Sequence, residues 1–246
     1  MNFNDIDVET MGIKGSTFNF SAVRPDVLNE TEYTLVNLVI DTSGSVRSFS
    51  SDLDAMLKEV IKACKKSPRA DNILLRVSTF NDRYEEVHGY IDVSSIDENN
   101  YNPLSCGGQT ALYDAVFTAI GSARDYAESL DNKDIMSNGI VFIITDGENN
   151  ASAYTPKKVK EAVSDIYTEE VMDSFLSILI GVNTDSSGLN KYLETFKNDA
   201  NIDQYVAMGD VTTSKLAKLG GFISKSISSQ SQSLGTGTAV SQTLSF

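Results

Sequence analysis

The chain has 246 residues and a mass of 26.7 kDa, enough for one large domain or two small ones and too much for a disulfide-stapled miniature. At 41% hydrophobic and 22% charged residues it has the composition of a folded globular domain, which excludes global disorder and a fibrous repeat. Its 20 basic and 34 acidic residues leave a net charge of −14, and the longest basic cluster is Lys62, Lys65, Lys66 and Arg69, so neither nucleic acid nor an anionic membrane is an expected partner.

Residues Met1 to Asp7 carry no basic residue and no apolar run, so no signal peptide is expected. Apolar stretches such as Ile140 to Ile144 fall far short of the roughly 18 residues of a membrane helix. Cys64 and Cys106 are too few for a disulfide framework, which makes a reducing cytoplasm the expected compartment.

In chain order, residues 1–30 form an N-terminal extension in which Phe18, Phe20 and Ala22 alternate as in a strand; it reads as a loose end or as an extra strand. From residue 31 to 230, short β-branched runs alternate with longer amphipathic stretches. That pattern predicts an α/β fold with a doubly wound, mostly parallel central sheet, one antiparallel edge strand and helices on both faces.

Leu35 to Ile40 is the clearest first strand. Leu53, Met56, Leu57, Val60, Ile61 and Cys64 then recur at threes and fours on one helical face, ended by Ser67 and Pro68. Ile73 to Phe80 and Glu86 to Val93 read as a hairpin about Asn81 and Asp82, which supplies the antiparallel edge strand. A helix carrying Leu112, Ala115, Val116, Ala119 and Ile120 follows, then a strand at Ile140 to Thr145. Thr155 before Pro156 is an N-cap with proline at the first helical position, opening a helix that buries Val159, Val163 and Ile166. Phe175 to Val182 is the next strand, Leu189 to Phe196 a short helix and Gln204 to Met208 a short strand. A last helix follows Thr213, with Leu216, Leu219, Ile223 and Ile227 on its apolar face. The composition turns rich in Ser, Gln and Gly from Ser226, and residues 231–246 read as a tail ending in Val240, Leu244 and Phe246, either loose or an extra strand.

Chemistry gathers where strands end. Leu35 to Ile40 runs into Asp41-Thr42-Ser43-Gly44-Ser45, a turn that can direct one carboxylate and two hydroxyls to one point. Gly107-Gly108-Gln109-Thr110 precedes the second helix, and Thr145-Asp146-Gly147-Glu148 follows a strand. Asp41, Ser43, Ser45, Thr110 and Asp146 offer only oxygen, which suits a hard cation: Mg2+, with Mn2+ or Ca2+ as alternatives. Glu148 reads as a solvated turn residue, Cys64 as core, Cys106 as a free thiol beside the site and His88 as incidental.

At these residues the sequence resembles a von Willebrand factor A domain, whose metal-ion-dependent adhesion site has Asp-x-Ser-x-Ser, then a threonine, then an aspartate. Asp41, Ser43, Ser45, Thr110 and Asp146 fill all five positions in order, and the resemblance spans about residues 31–230. It implies a Rossmann-like sheet and a cation bound directly by Ser43, Ser45 and Thr110, with Asp41 and Asp146 acting largely through water or hydrogen bonds. Such a cation keeps most of its charge and takes an aspartate or glutamate from a protein partner; in the family this capture can be coupled to movement of the last helix. The compact size is most similar to stand-alone bacterial and phage members, including those near tellurium-resistance genes. Gln109 departs from the third glycine of many relatives.

The function expected on these grounds is a non-enzymatic, metal-dependent protein-binding module. With His88 the single histidine and no Gly-x-Ser-x-Gly elbow, a serine hydrolase is disfavoured, and no P-loop is present. The rival enzyme is a Mg2+-dependent phosphatase or phosphotransferase of the haloacid dehalogenase type acting through Asp41, but Ser43 stands where its second aspartate belongs. A structural or assembly role, with the terminal segments pairing with other chains, can coexist with the protein-binding reading.

Overall fold

The computed structural model describes residues 7–185, 187–209, 211–233 and 245. Among the described residues the sheet has eight strands in the order β1-β2-β5-β4-β3-β6-β7-β8. Central β3 (Glu32–Asp41) pairs parallel with β4 (Ile73–Phe80) on one side and β6 (Met136–Thr145) on the other, and β7 (Ser174–Gly181) and β8 (Gln204–Ala207) continue parallel beyond β6.

The hairpin about Asn81 joins β4 to antiparallel β5 (Tyr84–Asp92), but the sheet does not stop there. The N-terminal segment contributes two strands, β1 (Val8–Gly12) and β2 (Asn19–Val23), antiparallel to each other, with Ala22 of β2 set parallel against Tyr90 of β5. An ion pair holds them: Arg76 on β4 is fully buried and lies 2.7 Å from partly buried Glu86, whose other oxygen accepts the Ser21 backbone N–H at 2.9 Å. Gly89 makes room for β2, since a Cβ there would stand 1.9 Å from the Ser21 carbonyl oxygen.

Alternation along β3 sends Val36, Leu38 and Ile40 to one face and Leu35 and Val39 to the other. On the first face lie α1 (Ser50–Lys65) and α5 (Thr213–Ser233); on the second lie α2 (Leu112–Asp131), α3 (Pro156–Glu169) and α4 (Ser187–Asp199). Helix α3 starts as its sequence dictates, with the Thr155 side chain accepting from the Lys158 N–H.

Helix α5 is longer than its composition suggests. Ser226, Gln230 and Ser231 are buried, and the Gln230 amide donates to the Gly139 carbonyl and the Ser174 hydroxyl at 3.3 and 2.8 Å. The residues read as the start of a tail therefore form the last turns of a packed helix. Small polar side chains let the helix lie close to the ends of β6 and β7, and the amide satisfies acceptors there. The pairing of residues 234–244 as an extra strand lies outside the described residues. Among the described residues no helix is long and apolar enough to cross a membrane.

The chain leaves β3 for β4 on one side and returns through β6 on the other. The carboxyl ends of β3 and β6 therefore flank the point where strand order reverses, which is where open α/β sheets form a crevice.

Candidate metal centre

Asp41 is the last residue of β3, and Asp146 follows Thr145, the last of β6. Since β3 and β6 are neighbours in register, with Ile40 beside Ile144, the two carboxylates come together at the switch point. After Asp41 a 3-10 turn over Gly44–Phe49 carries the chain into α1 and projects Ser45 back over the strand end.

Hydrogen bonds between the three loops fix the arrangement. Asp41 accepts the Ser43 N–H at 2.7 Å with one oxygen and the Thr145 hydroxyl at 2.5 Å with the other. The Ser45 hydroxyl donates to Asp146 at 2.7 Å and lies 3.2 Å from the Ser43 hydroxyl. The second loop is pinned through its backbone: Gly107 donates to the Thr42 carbonyl at 2.8 Å, and Gly44 donates to the Gly108 carbonyl at 3.2 Å. Thr110 is held by its N–H to the Asn150 side chain at 2.8 Å, and its carbonyl accepts from Asn150 and Ala151. A Cβ on Gly147 would stand 3.1 Å from the Thr110 hydroxyl and 3.8 Å from an Asp41 oxygen, so glycine lets those two groups face each other across the loop.

The structure thus brings Asp41, Ser43, Ser45, Thr110 and Asp146 to one place. Asp41, Ser43, Thr110 and Asp146 are buried, and Ser45 is exposed and opens the cluster to solvent. Gln109 and Glu148 are exposed. Cys106 is a free, half-buried thiol whose pKa burial raises; its carbonyl accepts from Arg47 at 2.8 Å. His88 is buried instead against Tyr101 and the Gly89 carbonyl, away from the site.

Residue types alone did not single out Thr145 or Asn150, which orient Asp41 and Thr110. The run Asn149-Asn150-Ala151-Ser152 carried the available signal, a cluster of side chains that bond to nearby backbone.

Burial pushes the Asp146 carboxyl up to about 6, the Asp41 charge adds to the rise and the Ser45 hydroxyl opposes it. Burial also raises Asp41, opposed by the hydrogen bonds from Thr145 and Ser43. Two carboxylates sharing a dry site repel each other, a cost that a cation between them removes. The donor set fits a hard one. Neighbouring ligands of an octahedral ion bound at about 2.1 Å stand about 3 Å apart, and Ser43 to Ser45 and Ser45 to Asp146 measure 3.2 and 2.7 Å. Among the described residues no three His, Cys, Asp or Glu side chains gather for a metal, so the hydroxyls are indispensable to this set.

No protein-family model matches the chain, and no curated protein matches it. Solved structures do. Proximal thread matrix protein 1 from the mussel byssus, in a structure with a zinc-occupied MIDAS motif, is 21% identical over 81% of this chain and 46% of its own, with a TM-score of 0.52. The pilus adhesin SpaC from Lactobacillus rhamnosus GG, in its open conformation, is 10% identical over 81% of this chain and 30% of its own, with a TM-score of 0.55. VWA2, the ArnB paralog from Sulfolobus acidocaldarius, is 13% identical over 80% of this chain and 46% of its own, with a TM-score of 0.50. The chain spans less than half the length of each of these proteins.

The class these likenesses define is one of fold: the chain has the von Willebrand factor A architecture. Within that class its particular form is an eight-stranded, mostly parallel sheet extended at one edge by its own N-terminal hairpin.

Proposed function

We propose that the chain is a metal-dependent protein-binding module in which Asp41, Ser43, Ser45, Thr110 and Asp146 hold a divalent cation, with Mg2+ as the resident ion. The observation that carries this reading is the convergence of five oxygen donors from three loops, with the spacings given above, on the switch point of the sheet. The zinc-occupied MIDAS motif of the mussel protein supports it by likeness of fold. When bound, the cation would offer an open position to an aspartate or glutamate of a partner protein.

The chain's own residues set up that encounter. Ser43, Ser45 and Thr110 present neutral hydroxyls, which leave a cation's charge largely uncancelled. Asp41, tied to Ser43 and Thr145, holds the loop in shape. Exposed Ser45 marks the side from which a partner approaches. Binding without catalysis is supported by Asp41 itself: at 1% exposure, with both oxygens engaged, it is poorly placed to attack a phosphoryl group. A reducing compartment such as the cytoplasm belongs to the same reading, both cysteines being free.

The test is thermal unfolding of the native chain and of Asp41→Ala with increasing Mg2+. At a hundredfold excess over Kd a bound ion adds about 2.7 kcal/mol, and each kcal/mol raises Tm by about 2–4 °C in a chain of this size. A rise in the native chain, absent in the variant, is expected; a flat response in the native chain overturns the proposal.

A further inference from the structure

The loop that follows β6 does more than carry Asp146. Helix α2 begins after Ala111, whose side chain makes no cap, so the backbone N–H groups at its start need partners from elsewhere. They come from the loop. Asn150, 40 residues beyond Thr110, accepts the Thr110 N–H at 2.8 Å, and the Ser152 hydroxyl accepts those of Tyr113 and Asp114 at 3.0 and 3.3 Å. In the other direction, the Asp114 carboxylate accepts the N–H groups of Ala153 and Tyr154 at 3.0 and 2.8 Å. Loop and helix cap each other, and Thr110 stands at the seam.

Helix α4 closes the arrangement. Half-buried Tyr192 accepts the Asn149 N–H at 3.1 Å, and its hydroxyl shares a second hydrogen bond with the Tyr113 hydroxyl. The helix is a firm support for that contact. Leu193 and Phe196 are buried in the core, the Phe196 ring lies 4.7 Å from that of Tyr113, and Asn190 accepts the Tyr205 hydroxyl of β8 at 2.8 Å. The route from α4 to the metal centre is short: Tyr192 hydroxyl to Asn149 N–H, one peptide bond to Asn150, then Asn150 carboxamide to Thr110 N–H. The Asn149 carboxamide braces the same turn by accepting the Ser152 hydroxyl.

We propose that Tyr192 is a positioning residue of the metal centre: it ties the loop after β6 to α4 and so keeps the Thr110 hydroxyl where a divalent cation can use it. The inference rests on the reading of Thr110 as a ligand of that cation. Tyr192 acts through Asn149 and Asn150 rather than on the ion. A neutral hydroxyl contributes to binding when it is already in place, so a looser Thr110 lowers affinity although every ligand is still present.

Tyr192→Phe keeps the ring and removes the hydroxyl. Calorimetric titration of the full chain with Mg2+, well below its melting temperature, should give this variant a Kd raised about fivefold or more, as for one hydrogen bond lost from a preorganised site. In EDTA, amide exchange should quicken at Asn149 and Thr110 and stay native at Ser43, which Asp41 holds. A residue with only a structural role would lower the melting temperature and leave the Kd of the folded chain unchanged. Tyr113→Phe retains the bond from Asn149 to Tyr192 and should leave the Kd close to native. Native affinity in Tyr192→Phe, native exchange at Thr110, or equal weakening by Tyr113→Phe overturns the proposal. A native chain that binds no Mg2+ overturns the metal reading together with this one, whereas a native chain that binds Mg2+ no better than Tyr192→Phe does overturns this one alone.

Discussion

Replacing Asp146 by asparagine separates what the metal centre costs the fold from what it does. In the metal-free chain Asp146 is 7% exposed, accepts from Ser45 at 2.7 Å and lies in the field of Asp41, so its carboxyl rises from 3.8 to about 6. A folded pKa above the unfolded value means that the folded chain holds this proton more tightly. Metal-free stability therefore falls as pH rises from about 4 to about 6 and stays lowered above that. The gap between the two values corresponds to about 3 kcal/mol at neutral pH. Asparagine keeps the shape and the acceptor for Ser45 while removing the charge. In EDTA at neutral pH the Asp146→Asn variant is expected to be about 1–3 kcal/mol more stable than the native chain, and the advantage should vanish below about pH 4.

If the proposed centre holds Mg2+, the order is expected to reverse, because a bound ion would stabilise the native chain and find one carboxylate fewer in the variant. Urea unfolding across a pH series, in EDTA and again in Mg2+, measures both halves. A variant less stable than native in EDTA at neutral pH would refute the electrostatic account, and one retaining the full native response to Mg2+ would refute the assignment of Asp146 to the site.

Three further outcomes follow from single contacts. Burial, with Arg76 adding to it, lowers the His88 pKa to about 4; an unfolded histidine titrates near 6.5, so acidification between about 6.5 and 4 should favour unfolding by up to about 3 kcal/mol. The single imidazole signal in an NMR titration of the folded chain checks this, and a midpoint near 6.5 would contradict it. Gly89→Ala drives a methyl into the Ser21 carbonyl, so the N-terminal hairpin should leave the sheet, with a loss of about 1–3 kcal/mol and faster proteolysis between β1 and β2; unchanged proteolysis would show that the hairpin is held without this close approach. Gln230→Ala leaves the Gly139 carbonyl and the Ser174 hydroxyl without the amide and should cost about 1–3 kcal/mol in urea unfolding, whereas a loose tail would show no change.

What the sequence made legible was whatever local pattern determines. Apolar spacing located α1 and α2, the Thr155-Pro156 pair placed the start of α3, and the oxygen-bearing residues at two strand ends marked the cluster that gathers at the switch point. The misses share one cause, dependence on contacts far along the chain. Strand β1, with the sequence Val-Glu-Thr-Met-Gly, has no apolar alternation of its own. It joins the sheet because β2 is locked by Ser21 to Glu86, 65 residues away, and Glu86 is itself held by the buried Arg76. The last turns of α5 look like a linker because their burial depends on Asn138, Gly139 and Ser174, and no local property of a Ser-Gln run announces such partners. Thr145 and Asn150 were illegible for the same reason: each acts on a residue brought close only by strand order.

That distribution bears on how the proposed centre would hold an ion. Hydroxyls are weak ligands, so an ion held through Ser43, Ser45 and Thr110 gains little from each and depends on finding them already in place. The chain provides that placement with bonds that spare the Thr110 hydroxyl: Gly107 to Thr42, Gly44 to Gly108, and Asn150 to the Thr110 N–H. Asp41 has both oxygens committed to holding the loops, whereas Asp146 is braced by the Ser45 hydroxyl and a backbone N–H and carries the larger electrostatic strain. Asp41 therefore acts mainly on the shape of the site and Asp146 on its charge. This division predicts that Asp41→Asn, which can still bond Ser43 and Thr145, should preserve the loop arrangement, whereas Asp41→Ala should loosen it. Comparing amide hydrogen exchange at Ser43 and Gly107 in the two variants distinguishes them, and equal loosening in both would show that Asp41 also acts through its charge.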